Sequence, residues 1–498
     1  TERGDLMPGT DNDAAADRSL PEQVDFIAGE WAPATRDRGE SIEDPNTGEV
    51  LQQQMATDDE GIERAIAASV EAHAGWNGTD TDARADALDS MADELEKLAP
   101  ECARVEALGS GAVIGVTSML SFIFHAAFRL AAEQLRAGLM HSTLEGPTGR
   151  DVEVIRLGWG PAGLLVPWNA PAPMAAHKAA SALAAGCPVI IKPPERVPHG
   201  TAMLARGAEA AGLPSGVVQV VHGGPEVGGR IVTDDRVRAI SFTGGVVAGR
   251  AIAHACAEGL KPAQLELGGH GPLLVMPDAD TDAAADGAVA LLTTLNGQWC
   301  RALGRLLVPE DRRDEILGAV LARLEGLAIG DSLDPSSMMG PIVHSAHHKL
   351  LSDRISELVG LGGQTHAPSG LPGGDLSGGN WLAPTLITGV DPEHTRSEIF
   401  GPVATVHTYT DTEHALAVAN DNPYGLEAYV IGTDEDAAMD VGRRIHAGGV
   451  KVNGTSPMSL HLMAPRPAWG ISGLADEGTT ETIEFFCGTR VVGVEGQH

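Results

Sequence analysis

Polar and apolar positions alternate at helical spacing from about residue 57 to 108. Asp58 and Asp59 predict the start of one helix, and Thr79 to Asp82 the start of another. Further helical pattern runs from about 113 to 136. Its most apolar part, Ala112 to Ala127, holds Thr117, Ser118, Ser121 and His125. That run falls short of the roughly 18 apolar residues a membrane span needs, so it predicts a buried helix. Between 151 and 275 the pattern changes. Short β-branched runs at Gly163–Pro167, Val189–Lys192, Val217–Val221 and Ala239–Phe242 alternate with helical stretches near 173–185, 199–211, 225–232 and 247–258. Pro198 suits a helix start. Strand–helix alternation at this spacing predicts an α/β fold of βαβ units on a parallel sheet, with ligands beyond the carboxyl ends of the strands. A second α/β region, roughly 271–460, has candidate strands at Leu273–Met276, Arg305–Val308, Val403–Tyr409 and Tyr429–Ile431. The Gly/Pro-rich stretch 367–380 predicts a surface loop. The run Thr489–Val494 has no local partner and is expected to pair with another subunit.

Composition narrows the function. A chain of 498 residues exceeds one hydrophobic core, so two or three domains are expected. Apolar residues at 43% and charged residues at 20% fit an ordinary globular protein. A net charge of −34 repels nucleic acid and anionic membranes, which points to a small molecule as the partner. The cysteines are Cys102, Cys187, Cys256, Cys300 and Cys487; their odd number and the lack of CxxC spacing indicate neither disulfides nor a zinc site. A reducing cytosol is the expected compartment. Residues 1 to about 22, rich in Asp, Ala, Gly and Pro, are expected to form a disordered or loosely docked tail without a secretory h-region.

Chemistry concentrates in a few motifs. Asn296-Gly297-Gln298-Trp299-Cys300 places a thiol in a polar, glycine-containing loop, and Glu266 precedes Gly268-Gly269 in an apolar setting. A thiolate is a strong nucleophile, and a partly desolvated carboxylate is a better base near neutrality. Taken alone, Cys300 reads more often as a buried structural thiol than as a nucleophile, and Glu266 equally as a helix-capping or loop carboxylate. Asn169 in Pro167-Trp168-Asn169-Ala170-Pro171 offers amide donors to an oxyanion, or is a turn asparagine. Lys192 and Glu195 follow a strand and suit ribose or phosphate oxygens; as readily, they are solvated loop charges. The turn Thr243-Gly244-Gly245-Val246-Val247-Ala248-Gly249 joins a strand to a helix, where glycines admit a pyrophosphate at a helix N-terminus. Glu398 suits a second ribose, with Phe400 beside a flat ring, although the same segment also reads as a loop entering a strand.

In this order and spacing the motifs resemble the aldehyde dehydrogenase superfamily over nearly the whole chain, from Ile27-Ala28-Gly29-Glu30-Trp31 to the C-terminal strand. The resemblance implies a Rossmann-like dinucleotide-binding domain (23–139 and 159–270), a catalytic α/β domain (271–480) and a small β flap (140–158 and 481–498) that joins subunits into homodimers or homotetramers. It implies Cys300 as nucleophile, Glu266 as general base, and Asn169 with the Cys300 N–H as oxyanion hole. It assigns Lys192, Glu195, Trp168, Gly244, Gly245, Gly249, Leu267, Glu398 and Phe400 to the cofactor. NAD⁺ is implied, since Glu195 would repel a 2′-phosphate; some relatives with this glutamate accept NADP⁺.

Some positions depart from the family pattern. Gly244-Gly245-Val246 lacks the usual hydroxyls, Pro465-Arg466-Pro467-Ala468 replaces Pro-Phe-Gly-Gly, and Ser397 stands where a second glutamate is common. Positions that line the aldehyde tunnel hold Ala170, His177, Trp299 and Arg301, which predicts a wider and more polar tunnel. Phe122, Phe124 and His125 are candidates for its mouth. Arg301 either favours a polar or anionic aldehyde or faces a structural carboxylate. Two other readings stand beside aldehyde oxidation. One is a non-redox cysteine hydrolase or acyltransferase using Cys300 and Glu266. The other is a non-catalytic scaffold.

Overall fold

The computed structural model describes residues 17–146 and 150–495. Most of the expected tail lies outside the described residues. Its last part is docked, with Arg18 paired to Asp44 at 2.6 Å and to Asp331.

Val189–Lys192 explains the first sheet in miniature. All four residues are buried, three are β-branched, and such a run has no polar face to give to water. It sits inside an eight-stranded sheet ordered Glu30–Pro33, Val24–Ile27, Val218–Val220, Val189–Lys192, Ala162–Leu165, Ala239–Thr243, Ala263–Glu266, Gly473–Leu474. The central strands run parallel and the edges antiparallel. The helices Pro171–Ala185, His199–Ala210, Pro225–Thr233 and Val246–Glu258 alternate with these strands. Pro198 caps the second of them. The second sheet has seven strands, ordered Gln364–His366, Thr385–Thr388, Val403–Tyr409, Leu303–Pro309, Gly271–Val275, Glu427–Ile431, Gly449–Val452.

The expected N-terminal helices are Asp59–Asn77 and Thr81–Ser110, capped by the carboxylates of Asp58 and Asp80. The next helix, Ile114–Arg136, corrects one expectation, because it is long and apolar enough to cross a membrane by length and composition. Its Phe124, Phe128, Ala131 and Leu135 are nonetheless buried among the helices Thr81–Ser110 and Pro171–Ala185.

The C-terminal strand joins the expected β flap. Cys487–Gly493 pairs antiparallel with Val152–Gly158 of the same chain, in a three-stranded sheet with His141–Leu144. This partner is distant in sequence within the same chain. It remains an edge strand, with Val491 and Val492 exposed.

Candidate active site

Four parallel strands of the first sheet end at Leu165, Lys192, Thr243 and Glu266, and all four residues line one cavity of about 860 Å³. This is the carboxyl edge where α/β sheets bind ligands. The second sheet closes the cavity with the loop that carries Cys300 and with Glu398 and Phe400. Cys300, Glu266 and Asn169 share its wall with Trp168, Ala170, His177, Trp299 and Arg301. Lys192, Glu195, Gly244, Gly245 and Leu267 also line it. Gly249 does not. A Cβ there would stand 2.4 Å from Leu267 Cδ2, so this glycine lets the helix pack against Leu267. Of the expected mouth residues, Phe122 lines the cavity and Phe124 is buried in the helical core instead.

The loop that carries Cys300 is held in an unusual backbone. Leu295, Asn296 and Gly297 have φ of 50°, 57° and 69°. Left-handed conformations at non-glycine residues persist only where surroundings fix them. Here the Asn296 amide donates to the carbonyls of Gly111 and Pro341, both at 2.8 Å, and its oxygen accepts from Gly340 N–H at 2.8 Å. Gln298 accepts from Val343 N–H at 3.0 Å. Gly269 packs so tightly that a Cβ would lie 2.0 Å from the Cys300 carbonyl oxygen. Burial pushes the Cys300 thiol up to about 12, while the Arg301 charge pulls it down. The other four cysteines are buried.

Glu266 ends its strand almost wholly buried, and its Oε1 has no hydrogen-bond partner. Burial, with the Glu477 carboxylate nearby, raises it to about 8. Glu477 faces the other way energetically. Burial would raise it, but Lys178, His177 and Arg466 outweigh burial and hold it at about 2. Lys178 Nζ meets Glu477 Oε1 at 2.7 Å and donates to Ser241 Oγ at 2.9 Å. Burial drops His177 to about 3, so it is a neutral acceptor for the Arg466 Nη2 donor at 3.0 Å.

The other part of the cavity fits a dinucleotide. Glu398 accepts Gly269 N–H at 2.8 Å, and burial raises it to about 7. Lys192 Nζ donates to the carbonyls of Pro193 and Gly223, each at 2.8 Å, and lies 3.4 Å from Glu195. Gly245 caps the helix Val246–Glu258, and a Cβ there would meet open space. The Thr243 hydroxyl beside it is buried without a partner. Trp168 packs edge-on to Phe400 with ring centroids 5.4 Å apart, and His347 stands 5.5 Å from Trp168.

For Arg301, the structure shows the structural alternative. Its guanidinium lies 3.1 Å from Glu427, itself 3.7 Å from Lys451, so its charge is answered within the wall. The tunnel is also less polar than expected, since Phe122, Ile123, Ala126, Ala127, Met174, Met458 and Leu462 supply much of the lining. Glu477 and His347 line the cavity and Lys178 supports it through Glu477, and motif reasoning passed over all three. Lys178 carried a legible signal, as the only charged residue in an Ala-rich helix.

A thiol and a buried carboxylate sharing one cavity with a dinucleotide cradle define a cysteine-dependent oxidoreductase of the α/β class. The model of the aldehyde dehydrogenase family matches residues 31–492, and the chain belongs to that family. It is 34% identical to geranial dehydrogenase of Castellaniella defragrans over 475 residues, covering 93% of this chain and 97% of that one. It is also 34% identical to the non-phosphorylating aspartate-semialdehyde dehydrogenase of Halomonas elongata, covering 95% and 96%. Among solved structures, betaine aldehyde dehydrogenase of Staphylococcus aureus, in complex with NAD⁺, superposes with a TM-score of 0.89 at 27% identity, covering 95% of this chain and 94% of that one.

Proposed function

We propose that this chain oxidises an aldehyde to the carboxylic acid with NAD⁺, through an acyl thioester on Cys300. The observation that supports it most is the orphaned Glu266 carboxylate on the same cavity wall as the Cys300 thiol. The Cys300 thiol gives its proton to the Glu266 carboxylate, which passes it to solvent, and the sulfur attacks the aldehyde carbon as the thiolate. The alkoxide of the resulting thiohemiacetal takes hydrogen bonds from the Asn169 amide and the Cys300 N–H. The bound nicotinamide supplies an acceptor for the hydride of that carbon. Glu266, with no competing partner on Oε1, takes a proton from water, and the hydroxide releases the acid from sulfur.

Lys192 and Glu195 would hold the adenosine ribose, and Glu398 the nicotinamide ribose. The helix start at Gly244-Gly245 would receive the pyrophosphate through backbone N–H groups, since the turn has no side-chain hydroxyl beyond Thr243. Glu195 favours NAD⁺ over NADP⁺ by charge. The largely apolar tunnel suits an aldehyde with a hydrocarbon body. Five free cysteines suit a reducing cytosol. The exposed edge of Cys487–Gly493 suits a homodimer or homotetramer.

The test is reduced-nicotinamide formation across a panel of aldehydes, with wild type and Cys300→Ser. Oxidation that requires Cys300 supports the reading. Ester hydrolysis without nicotinamide reduction would replace it with a non-redox hydrolase, and failure to bind NAD⁺ would replace it with a scaffold.

A further inference from the structure

Arg466 is a basic side chain on the cavity wall that leaves most of its hydrogen-bonding capacity unused. Its backbone is clamped to Glu477 by reciprocal N–H to carbonyl bonds of 2.6 and 3.2 Å. Its side chain turns back beside the same residue, with Nη2 donating to His177 Nε2 at 3.0 Å and standing 3.6 Å from Glu477 Oε2. The second distance is an ion pair, not a hydrogen bond. A guanidinium carries five donors, so among the described residues most of them have no partner. The side chain is 26% exposed and lines the cavity with Glu266 and Glu477.

Arg466 and Lys178 share the one Glu477 carboxylate, so the group keeps a net positive charge. Lys178 and Glu477 meet at 2.7 Å and answer each other. Arg301 is answered by Glu427 at 3.1 Å. Burial keeps His177 a neutral acceptor, and burial with the Glu477 charge raises Glu266 to about 8, so it adds little negative charge near neutrality. Beyond these groups the wall turns apolar at Met174, Ala127 and Leu462. A substrate body passing Arg466 therefore meets one positive charge with free donors in an otherwise greasy tunnel.

We propose that Arg466 determines specificity, by hydrogen-bonding an acceptor oxygen on the aldehyde's body and by excluding cationic aldehydes. The proposal rests on the aldehyde-oxidising reading and adds the substrate's chemistry to it. An oxygen that fills the free donors is favoured, and a quaternary ammonium is repelled at short range in a site of low dielectric. Histidine's neutrality matters here, because a protonated His177 would offer the guanidinium no acceptor and would push it away.

The experiment compares kcat/KM for three aldehydes of equal length, bearing a terminal carboxylate, a methyl group or a trimethylammonium group. Wild type, Arg466→Leu and Arg466→Lys are measured at one pH, with thermal melts confirming folding. Wild type is expected to prefer the carboxylate to the cation by at least about a hundredfold. Arg466→Leu is expected to lose about tenfold or more on the carboxylate, gain on the cation, and change little on the methyl compound; Arg466→Lys keeps part of the preference. Equal losses on all three, as from an altered Glu266 or a disturbed fold, would overturn the proposal, as would no change. A wild type that oxidises none of them would sink the aldehyde reading itself, which separates the two failures.

Discussion

Lys178 and Glu477 meet at 2.7 Å with both side chains almost completely withdrawn from water. The lysine comes from the Ala-rich helix Pro171–Ala185 and the glutamate from the loop before the helix Thr479–Phe485. Neither would be stable there alone. Removing one partner of a buried pair typically costs about 3–5 kcal/mol, because the other charge stays behind. Lys178→Met is therefore expected to lower stability by that order in chemical denaturation. The double variant Lys178→Met/Glu477→Leu should recover a large part. If Lys178→Met unfolds like wild type, the pair carries no such weight.

The same pair shapes the acid–base behaviour of Glu266. Burial and the Glu477 charge raise Glu266 to about 8. A general base works as the carboxylate, which is the form present above its pKa. Hydrolysis of the thioester should therefore increase as pH rises through about 8 and decline below it. Glu266→Gln should slow release by about a hundredfold or more and abolish that limb of the profile. A Glu266→Gln enzyme with the wild-type profile would assign the base elsewhere.

Glu398 predicts a pH dependence in cofactor binding. Burial raises it to about 7, and accepting ribose hydroxyls favours the ionised form. NAD⁺ affinity should weaken as pH falls from 8 to 6, with proton release on binding at pH 6.5. Calorimetry in buffers of different ionisation enthalpy reads both quantities. Glu398→Gln should flatten the dependence; an unchanged slope in that variant would place the titrating group elsewhere.

Asn296 predicts a link between loop geometry and reactivity. Its side chain makes three bonds of 2.8 Å inside the protein while its backbone sits at φ 57°. Asn296→Ala leaves two buried carbonyls and an N–H without these partners, so a loss of about 3 kcal/mol or more is expected. Iodoacetamide should also modify Cys300 at an altered rate, read by peptide mass after a timed quench. Unchanged stability and labelling would mean that the loop holds its shape without this side chain.

Much of the fold was legible because its strands are buried on both faces. Val189–Lys192 and Val403–Tyr409 begin and end where the β-branched runs do. Asp58 and Asp80 marked helix starts through their capping chemistry. Pairing between Cys487–Gly493 and Val152–Gly158 spans most of the chain and has no local signature, so only the family resemblance, which joins 140–158 with 481–498, anticipated it. The site shows the same divide. Motifs beside strand ends announced Lys192, Glu266 and Asn169. Glu477 and Arg466 reach the cavity from an irregular segment, where no periodicity predicts direction. Arg301 was ambiguous because its answering Glu427 lies on a strand of the second sheet, far along the chain.

The most direct measurement is the intact mass of Glu266→Gln after mixing with NAD⁺ and an oxidisable aldehyde, followed by peptide mapping. Slow release should leave the protein heavier by one acyl group, with the added mass on the peptide that contains Cys300 and absent from Glu266→Gln/Cys300→Ser. An unmodified Cys300 peptide while reduced nicotinamide accumulates would show that carbon is oxidised without ever being bonded to this sulfur.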